Sequence, residues 1–282
     1  MAARKTVLIT GCSDGGIGSA LATTFQQRDF HVFATARDPS KMGDLKDLPH
    51  MTFLKLDITS TNDIKEAVKA VTEHTGSNGT LDVLISNAGR NHFMPILDDD
   101  LDTVRNLFEI NFLGPIALTQ AFAPMLIKAK GMIAYIASTS GYLNIPYMGT
   151  YAASKRSLEI VGETLRLEIA PFGVGVLEVV TGAVKSRGQT YFGDFSLPTE
   201  SLYKSIEPTI AIRAQGGDGL PRMDTLEYAN SVTGDILART AGRVWYGGFA
   251  EQTKMSTTAT GVPQTAMDAG ALMGSDLDKV GN

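Results

Sequence analysis

Residues 6 to 18 read Thr-Val-Leu-Ile-Thr-Gly-Cys-Ser-Asp-Gly-Gly-Ile-Gly, and no other stretch constrains the fold as much. Thr6 to Thr10 is a short β-branched and apolar run, the composition of a parallel strand buried on both faces. Glycines at 11, 15, 16 and 18 then allow a tight turn. Ser19 to Gln27 follow with Leu21, Ala22 and Phe25 at helical spacing. A strand that enters a helix through such a turn directs backbone N–H groups and a helix N-terminus at one point, where a pyrophosphate is stabilised. Glycines are common in any βα turn. The strand before and the helix after this one are what favour a dinucleotide.

Further strand-like runs lie near 31–36, 52–56, 82–87, 131–137, 174–180 and 243–246. Helical patterns lie near 17–28, 61–75, 99–113, 115–130, 149–170 and 224–240. The alternation predicts an α/β fold, a Rossmann-type doubly wound parallel β-sheet with helices on both faces. No linker interrupts the chain before about residue 185 and no internal repeat is visible. Residues 1–250 therefore read as a single catalytic domain with a substrate lid at about 185–222. Residues 251–282 read as a tail that packs on a second subunit or moves in solvent. Such sheets bind ligands at the carboxyl ends of their strands, where strand order reverses. Gly11, Asp57, Asn87, Ser138 and Gly182 all stand at or just after a predicted strand end.

Composition excludes several classes. The chain has 282 residues, 43% hydrophobic and 20% charged, with a net charge of −5 and no basic block. It suits an ordinary globular core and does not suit nucleic-acid binding. Cys12 is the only cysteine, so a disulfide framework is ruled out and a reducing, cytoplasmic location is expected. Cys12 itself reads as a small packed residue of the turn. No apolar run approaches the ~20 residues of a membrane span, and none is expected. His31, His50, His74 and His92 are scattered without ligand spacing, which points to no metal; His92 reads either as a plain loop histidine or as a residue at the pocket mouth.

Tyr151-Ala-Ala-Ser-Lys155, with Ser138 thirteen residues before the tyrosine, carries chemistry. A tyrosine and a lysine at i and i+4 share one helix face. An ammonium beside a phenol favours phenolate and lowers the phenol's pKa from about 10 toward the working pH. Such a tyrosine exchanges a proton with a carbonyl or alcohol oxygen.

Together these residues resemble the short-chain dehydrogenase/reductase family over nearly the whole chain. The family's TGxxxGxG turn is met by Thr10, Gly11, Gly16, Ile17 and Gly18, with one extra residue among Cys12 to Gly15. Its NNAG segment is met by Asn87, Ala88 and Gly89, with Ser86 for the first asparagine. Its catalytic tetrad is met by Asn111, Ser138, Tyr151 and Lys155; Ser140 is a rival for the serine, and spacing to Tyr151 and Gly141 favours Ser138. The usual Pro-Gly after the sixth strand is here Thr181-Gly182-Ala183-Val184. That form, with Glu227-Tyr228-Ala229 and Trp245-Tyr-Gly-Gly, is similar to a fungal branch that includes NADPH-dependent 1-acyl-dihydroxyacetone-phosphate reductases and secondary-metabolite reductases.

The resemblance implies roles. Ser138 orients the substrate oxygen, Tyr151 gives or takes the proton, Lys155 holds the nicotinamide ribose, and Asn111 anchors a water. Gly11, Ser13, Gly16, Ile17, Gly18, Asn87, Ala88 and Gly89 line the cofactor with Tyr151 and Lys155. Gly182, Val184 and Ser186 meet the nicotinamide half, and Asp57 and Ile58 meet the adenine; Asp57 read without the family is an N-cap for the next helix. The resemblance also implies a homodimer or homotetramer in which the helix near 149–170 and its neighbour near 99–130 pack across a two-fold axis. Leu158, Val161, Leu165 and Ile169 on the first of these also suit the core alone.

The second strand ends Phe33-Ala-Thr-Ala36-Arg37-Asp38. NAD-binding sheets place an acid at that end for the ribose 2′-hydroxyl. Ala36 fills the slot here, and the Arg37 guanidinium next to it suits the 2′-phosphate of NADP(H); Asp38 opposes this if it neutralises Arg37. The pocket is expected between Arg90–Met94, Leu143–Met148 and the segment after Val184, where Tyr191, Phe192, Phe195, Leu197 and Tyr203 suit a lid over an apolar ligand. Lys185, Arg187 and Arg213 could serve a phosphate.

Three functions stay open. The first is NADPH-dependent reduction of the ketone of a medium-sized hydrophobic substrate, such as a polyketide or terpenoid intermediate. The second is reduction of 1-acyl-dihydroxyacetone phosphate in lipid synthesis. The third, of another class, is a non-catalytic NADP(H)-binding regulatory protein.

Overall fold

The structure, a computed structural model, describes residues 4–193, 195–258, 263 and 265, with Asn78, Gln189, Thr190 and Tyr191 described in backbone only. Seven parallel strands form one sheet: β1 Thr6–Thr10, β2 His31–Ala36, β3 Met51–Lys55, β4 Val83–Ser86, β5 Met132–Ile136, β6 Gly175–Thr181 and β7 Gly242–Tyr246. Their order is β3-β2-β1-β4-β5-β6-β7. The order reverses between β1 and β4, so the loops leaving these two strands diverge and open a crevice between them.

Side-chain alternation builds both faces. Val7 and Ile9 of β1 enter one apolar layer with Leu21, Ala22 and Phe25 of α1 (Ile17–Gln26). Leu8 enters the opposite layer with Ile64, Ala67 and Val71 of α2 (Thr61–Thr75). Both layers are dry, which is why the strands read as nearly unbroken apolar runs. Ser60 caps α2 by accepting from the Asp63 N–H at 3.2 Å. Asp57 is therefore not the cap; its carboxylate accepts from the Thr59 N–H at 3.0 Å and hydroxyl at 2.8 Å.

The next helix is continuous from Leu101 to Ala129, as α3 (Leu101–Phe108), one π turn (Glu109–Leu113) and α4 (Gly114–Ala129). The patterns near 99–113 and 115–130 read as two helices. Pro115 instead follows directly on the π turn, and the helix runs on through it. The continuous helix also bears on the expectation of no membrane span. By length and composition alone it could cross a membrane, with a window of mean hydropathy 1.5, 44% of it buried. Its buried residues Leu118, Phe122 and Leu126 join the sheet layer that holds Leu8.

α5 (Gly149–Ile169) covers β5 and β6, and α7 (Thr225–Leu237) packs beside α1, where Thr24 and Thr233 share a buried hydrogen bond of 2.8 Å. Two helices were not expected. α6 (Glu207–Ala214) lies within the lid segment, and α8 (Ala250–Thr257) buries Ala250 and Thr253 beside β7. Both are short, and α8 has a weak apolar stripe, so periodicity could not find them. The tail expectation beyond Thr258 lies outside the described residues, apart from Pro263 and Thr265.

Candidate active site

The turn after β1 is clamped from β4. Gly11 has φ +74°, and a β-carbon there would sit 2.9 Å from Ala88 Cα, so a side chain is excluded twice. Asn87 donates through Nδ2 to the carbonyls of Thr10 (2.8 Å) and Gly11 (3.1 Å). The Thr10 hydroxyl accepts from the N–H groups of Asn87 (3.0 Å) and Ala88 (2.9 Å). Gly18 backs directly onto the Gly11 carbonyl and the Asn87 amide. Asn87 thus holds the turn with both amide hydrogens. Gly16 precedes α1 without a side-chain cap, and Ile17 to Ala20 carry no acid. The first N–H groups of α1 are left for an anion. Ser13 lies in the turn, its carbonyl accepting from Gly16 at 3.1 Å. Cys12 is fully buried and burial pushes its thiol up to about 12, as befits a packing residue.

Arg37 is exposed at the end of β2, beyond buried Ala36. Asp38 does not neutralise it. The Asp38 carboxylate accepts from the Ser40 hydroxyl at 2.7 Å and N–H at 3.1 Å, and these bonds hold it below the usual carboxylate range. Asp57 and Ile58 follow β3, with Ile58 buried against Gly114. Arg187 Nε lies 3.0 Å from where a Gly15 β-carbon would be, so the segment after β6 lays a guanidinium on the glycine turn.

The four polar residues converge where β4, β5, the π turn and α5 meet. Asn111, fully buried in the π turn, accepts from the Arg90 N–H at 2.8 Å and donates to the Arg90 carbonyl at 2.9 Å and to Ser154 Oγ at 3.0 Å. A β-carbon on Gly89 would lie 3.1 Å from Lys155 Nζ and 3.2 Å from Asn111 Oδ1, which places all three together. Lys155 donates to the Ile136 carbonyl at 2.9 Å. Burial lowers its pKa to about 8, and Glu178 opposes that shift. Ser140, the rival serine, is buried and donates to Ser138 Oγ at 2.8 Å. Ser138 is also the side chain that acts on the Tyr151 phenol. The phenol differs from expectation: burial pushes it above its ordinary value, and Ser138 opposes this. Sequence reasoning missed Ser154 as the Asn111 partner; its one signal is its place between Tyr151 and Lys155.

After β6, Gly182 is pinned by its N–H to the Tyr246 carbonyl at 2.8 Å. Val184 is buried, and Ser186 Oγ accepts from Gly188. The three expected pocket segments do meet. Phe93, Leu197 and Ile210 form an apolar cluster against which Met94, Tyr147 and Phe195 pack. The Phe93 and Tyr147 ring centroids are 5.9 Å apart. His92 is more than a loop histidine: it shares a 2.5 Å hydrogen bond with the largely buried Asp99. A cavity of about 270 Å³ opens beside Ser140, Leu143 and Arg156, but none of the four converging residues lines it.

Residues 5–194 match the short chain dehydrogenase family. The chain belongs to that family. As a short-chain dehydrogenase it is an oxidoreductase of a class that binds a nicotinamide cofactor. It is 47% identical over 247 residues to the short-chain dehydrogenase PC-15 of Penicillium crustosum, covering 88% of this chain and 90% of that one. It is 35% identical over 278 residues to the NADPH-dependent 1-acyldihydroxyacetone phosphate reductase of Schizosaccharomyces pombe, covering 97% and 91%. Among solved structures, a short-chain dehydrogenase from Streptomyces avermitilis superposes with a TM-score of 0.76 at 27% identity, covering 99% of this chain and 98% of that one. The seven-stranded single-domain sheet is the fold of this dehydrogenase family.

Proposed function

We propose that this dehydrogenase is an NADPH-dependent reductase of the ketone of a medium-sized hydrophobic substrate. The convergence of Ser138, Tyr151, Lys155 and Asn111 carries the reading. A bound nicotinamide supplies the hydride; the chain supplies position, field and proton. Ser138, held by Ser140, donates to the substrate oxygen and orients it. Tyr151 gives that oxygen its proton. A phenol raised by burial keeps its proton at neutral pH, which supports the reductive direction. Lys155 binds the ribose and places positive charge beside the developing alkoxide, where a dry site makes it count most. Asn111 fixes the Gly89–Arg90 backbone next to Lys155 and anchors the water that resupplies the proton. The apolar cluster beneath the lid supports a hydrophobic ligand.

The uncapped start of α1 and the glycine cradle fit a dinucleotide pyrophosphate, with Arg187 above it. Arg37 supports NADPH over NADH, since Asp38 is occupied by Ser40 and Ala36 stands in the acid's slot. The NADPH dependence of the Schizosaccharomyces pombe relative agrees with this. Arg37→Ala is expected to raise the KM for NADPH roughly ten- to hundredfold, the loss of a charge-assisted bidentate contact, and to leave NADH nearly unchanged. Equal wild-type use of both cofactors would remove the basis for that assignment.

That relative's near full-length match supports a second reading, reduction of 1-acyl-dihydroxyacetone phosphate. NADPH oxidation against a panel of apolar ketones and the acyl phosphate separates the two, and no oxidation of any member points to a non-catalytic NADP(H)-binding protein. We further propose a homodimer or homotetramer built on α5 and the 101–129 helix. α5 buries Leu158 and Ile169 in its own core yet leaves Ile160 55% exposed, and Leu113 is 44% exposed. Sedimentation at micromolar concentration is expected to give a species larger than 30 kDa; a monomer refutes it.

A further inference from the structure

Glu178 lies in the middle of β6 with no exposed surface, and neither of its carboxyl oxygens has a hydrogen-bond partner. A buried polar group left unpaired is costly, and an apolar residue would fill the same place between Val176, Leu177, Val179 and Val180. The fold makes room for it. α5 carries Gly162 opposite, where any β-carbon would overlap the Glu178 carboxyl. On β5 the register partner of Glu178 is Tyr135, and the next residue, Ile136, holds the Lys155 ammonium through its carbonyl. Lys155, Glu159 and Gly162 are spaced as one stripe of α5.

Charges surround the carboxyl from each element packed on it. α5 contributes Glu159, Glu163 and Lys155, and β7 contributes Arg243; β5 contributes the Tyr135 hydroxyl, which is bonded to Thr119 at 2.5 Å. Arg156 lies 2.8 Å from Glu159, and Arg243 lies 3.7 Å from Glu159 and 3.9 Å from Glu163. Burial and the two neighbouring carboxylates hold the Glu178 proton on well above the usual range, while Lys155 pulls it off. Conversely, Glu178 is what opposes the loss of the Lys155 proton.

Resting on the reading of Lys155 given above, we propose that Glu178 is a positioning residue that acts through Lys155. Seated in the gap left by Gly162, it takes on negative charge as pH rises and keeps the Lys155 ammonium charged into the alkaline range. The two groups titrate as a pair rather than singly.

NADPH binding, followed by cofactor fluorescence from pH 6 to 9.5, tests this without turnover. Wild-type affinity is expected to fall on the alkaline side as Lys155 loses its charge. Glu178→Gln, which keeps the shape and removes the charge, is expected to move that fall about one pH unit lower. The gap between the two proteins should narrow toward pH 6, where Lys155 is charged in both. Glu178→Met should shift the fall equally and melt no lower than wild type, because it removes an unpaired buried carboxyl; it stands in if the glutamine variant fails to fold. Superimposed pH profiles in wild type and variants overturn the role of Glu178 alone. A wild type with no alkaline fall, or one whose fall survives in Lys155→Met, overturns the reading of Lys155 and this inference with it.

Discussion

Tyr151→Phe is expected to lower kcat for ketone reduction by about 10²- to 10⁴-fold while NADPH affinity stays within a few-fold, the range that general acid catalysis typically contributes. The substitution removes one oxygen and keeps the ring, so packing around α5 survives. Ser138 still accepts from Ser140 at 2.8 Å. It therefore remains placed to orient a substrate oxygen. What disappears is the proton donor, and water must replace it in a site where Asn111, Ser154 and Lys155 are all buried. The phenol's raised pKa adds a sign. Reduction needs the protonated form, so the wild-type rate should hold through neutral pH and fade only as the phenol ionises at higher pH. Steady-state kinetics with NADPH and the best ketone of the panel measure both effects. Near-normal reduction by the phenylalanine variant would sink the assignment of Tyr151 as the acid.

Much of this architecture was legible in the sequence because its determinants are local. Each strand predicted from an apolar run stands within a residue or so of its observed place, since strands in a parallel sheet covered on both faces are mostly apolar. The glycine turn was legible for the same reason: positive φ at Gly11 and the close approach of Gly18 to its carbonyl admit no side chain. The sequence could not reveal how polar atoms are spent once the strands are side by side. Asn87 reads as a cofactor ligand, yet its amide bridges β4 to the carbonyls that end β1, a contact between residues more than seventy positions apart. Ser140 reads as a competitor of Ser138 and is its hydrogen-bond donor. Asp38 reads as a threat to Arg37 and is turned onto Ser40 by a two-residue Asx turn.

The phenol is the most instructive difference. An i, i+4 lysine promised a lowered pKa because proximity along the helix is visible in sequence. Burial is not, and in a low-dielectric site the desolvation of a phenolate outweighs a charge that is itself hydrogen-bonded to the Ile136 carbonyl. Glu178 illustrates the same gap from the other side. A glutamate in a β-strand passes unremarked until the sheet places it opposite Gly162 with four other charged groups, and only then does it bear on the lysine.

Lys155→Met is expected to abolish measurable reduction and weaken NADPH binding at least tenfold at pH 7, and at the same time to make the protein more stable. The functional loss follows from two duties ending together, the contact with the ribose and the positive charge beside the alkoxide. The stability gain follows from linkage. Burial lowers the lysine's pKa from 10.5 to about 8, so the folded state disfavours the ammonium that the unfolded chain carries freely. At pH 7 both states are charged, and the folded state bears the full penalty, ~3 kcal/mol for a shift of that size. Methionine removes the penalty but leaves the Ile136 carbonyl without its 2.9 Å donor, a loss of about 1–2 kcal/mol. The balance is a gain of about 1–2 kcal/mol. It should shrink as pH rises from about 8 toward 10.5, because there the folded wild type has shed the proton while its unfolded chain has not, and wild-type stability climbs relative to the variant. Denaturant melts of both proteins at pH 7 and pH 10 give the two differences directly. A variant less stable than wild type at pH 7, with no convergence at pH 10, would mean that the lysine is held there by favourable packing rather than kept at a cost for its chemistry.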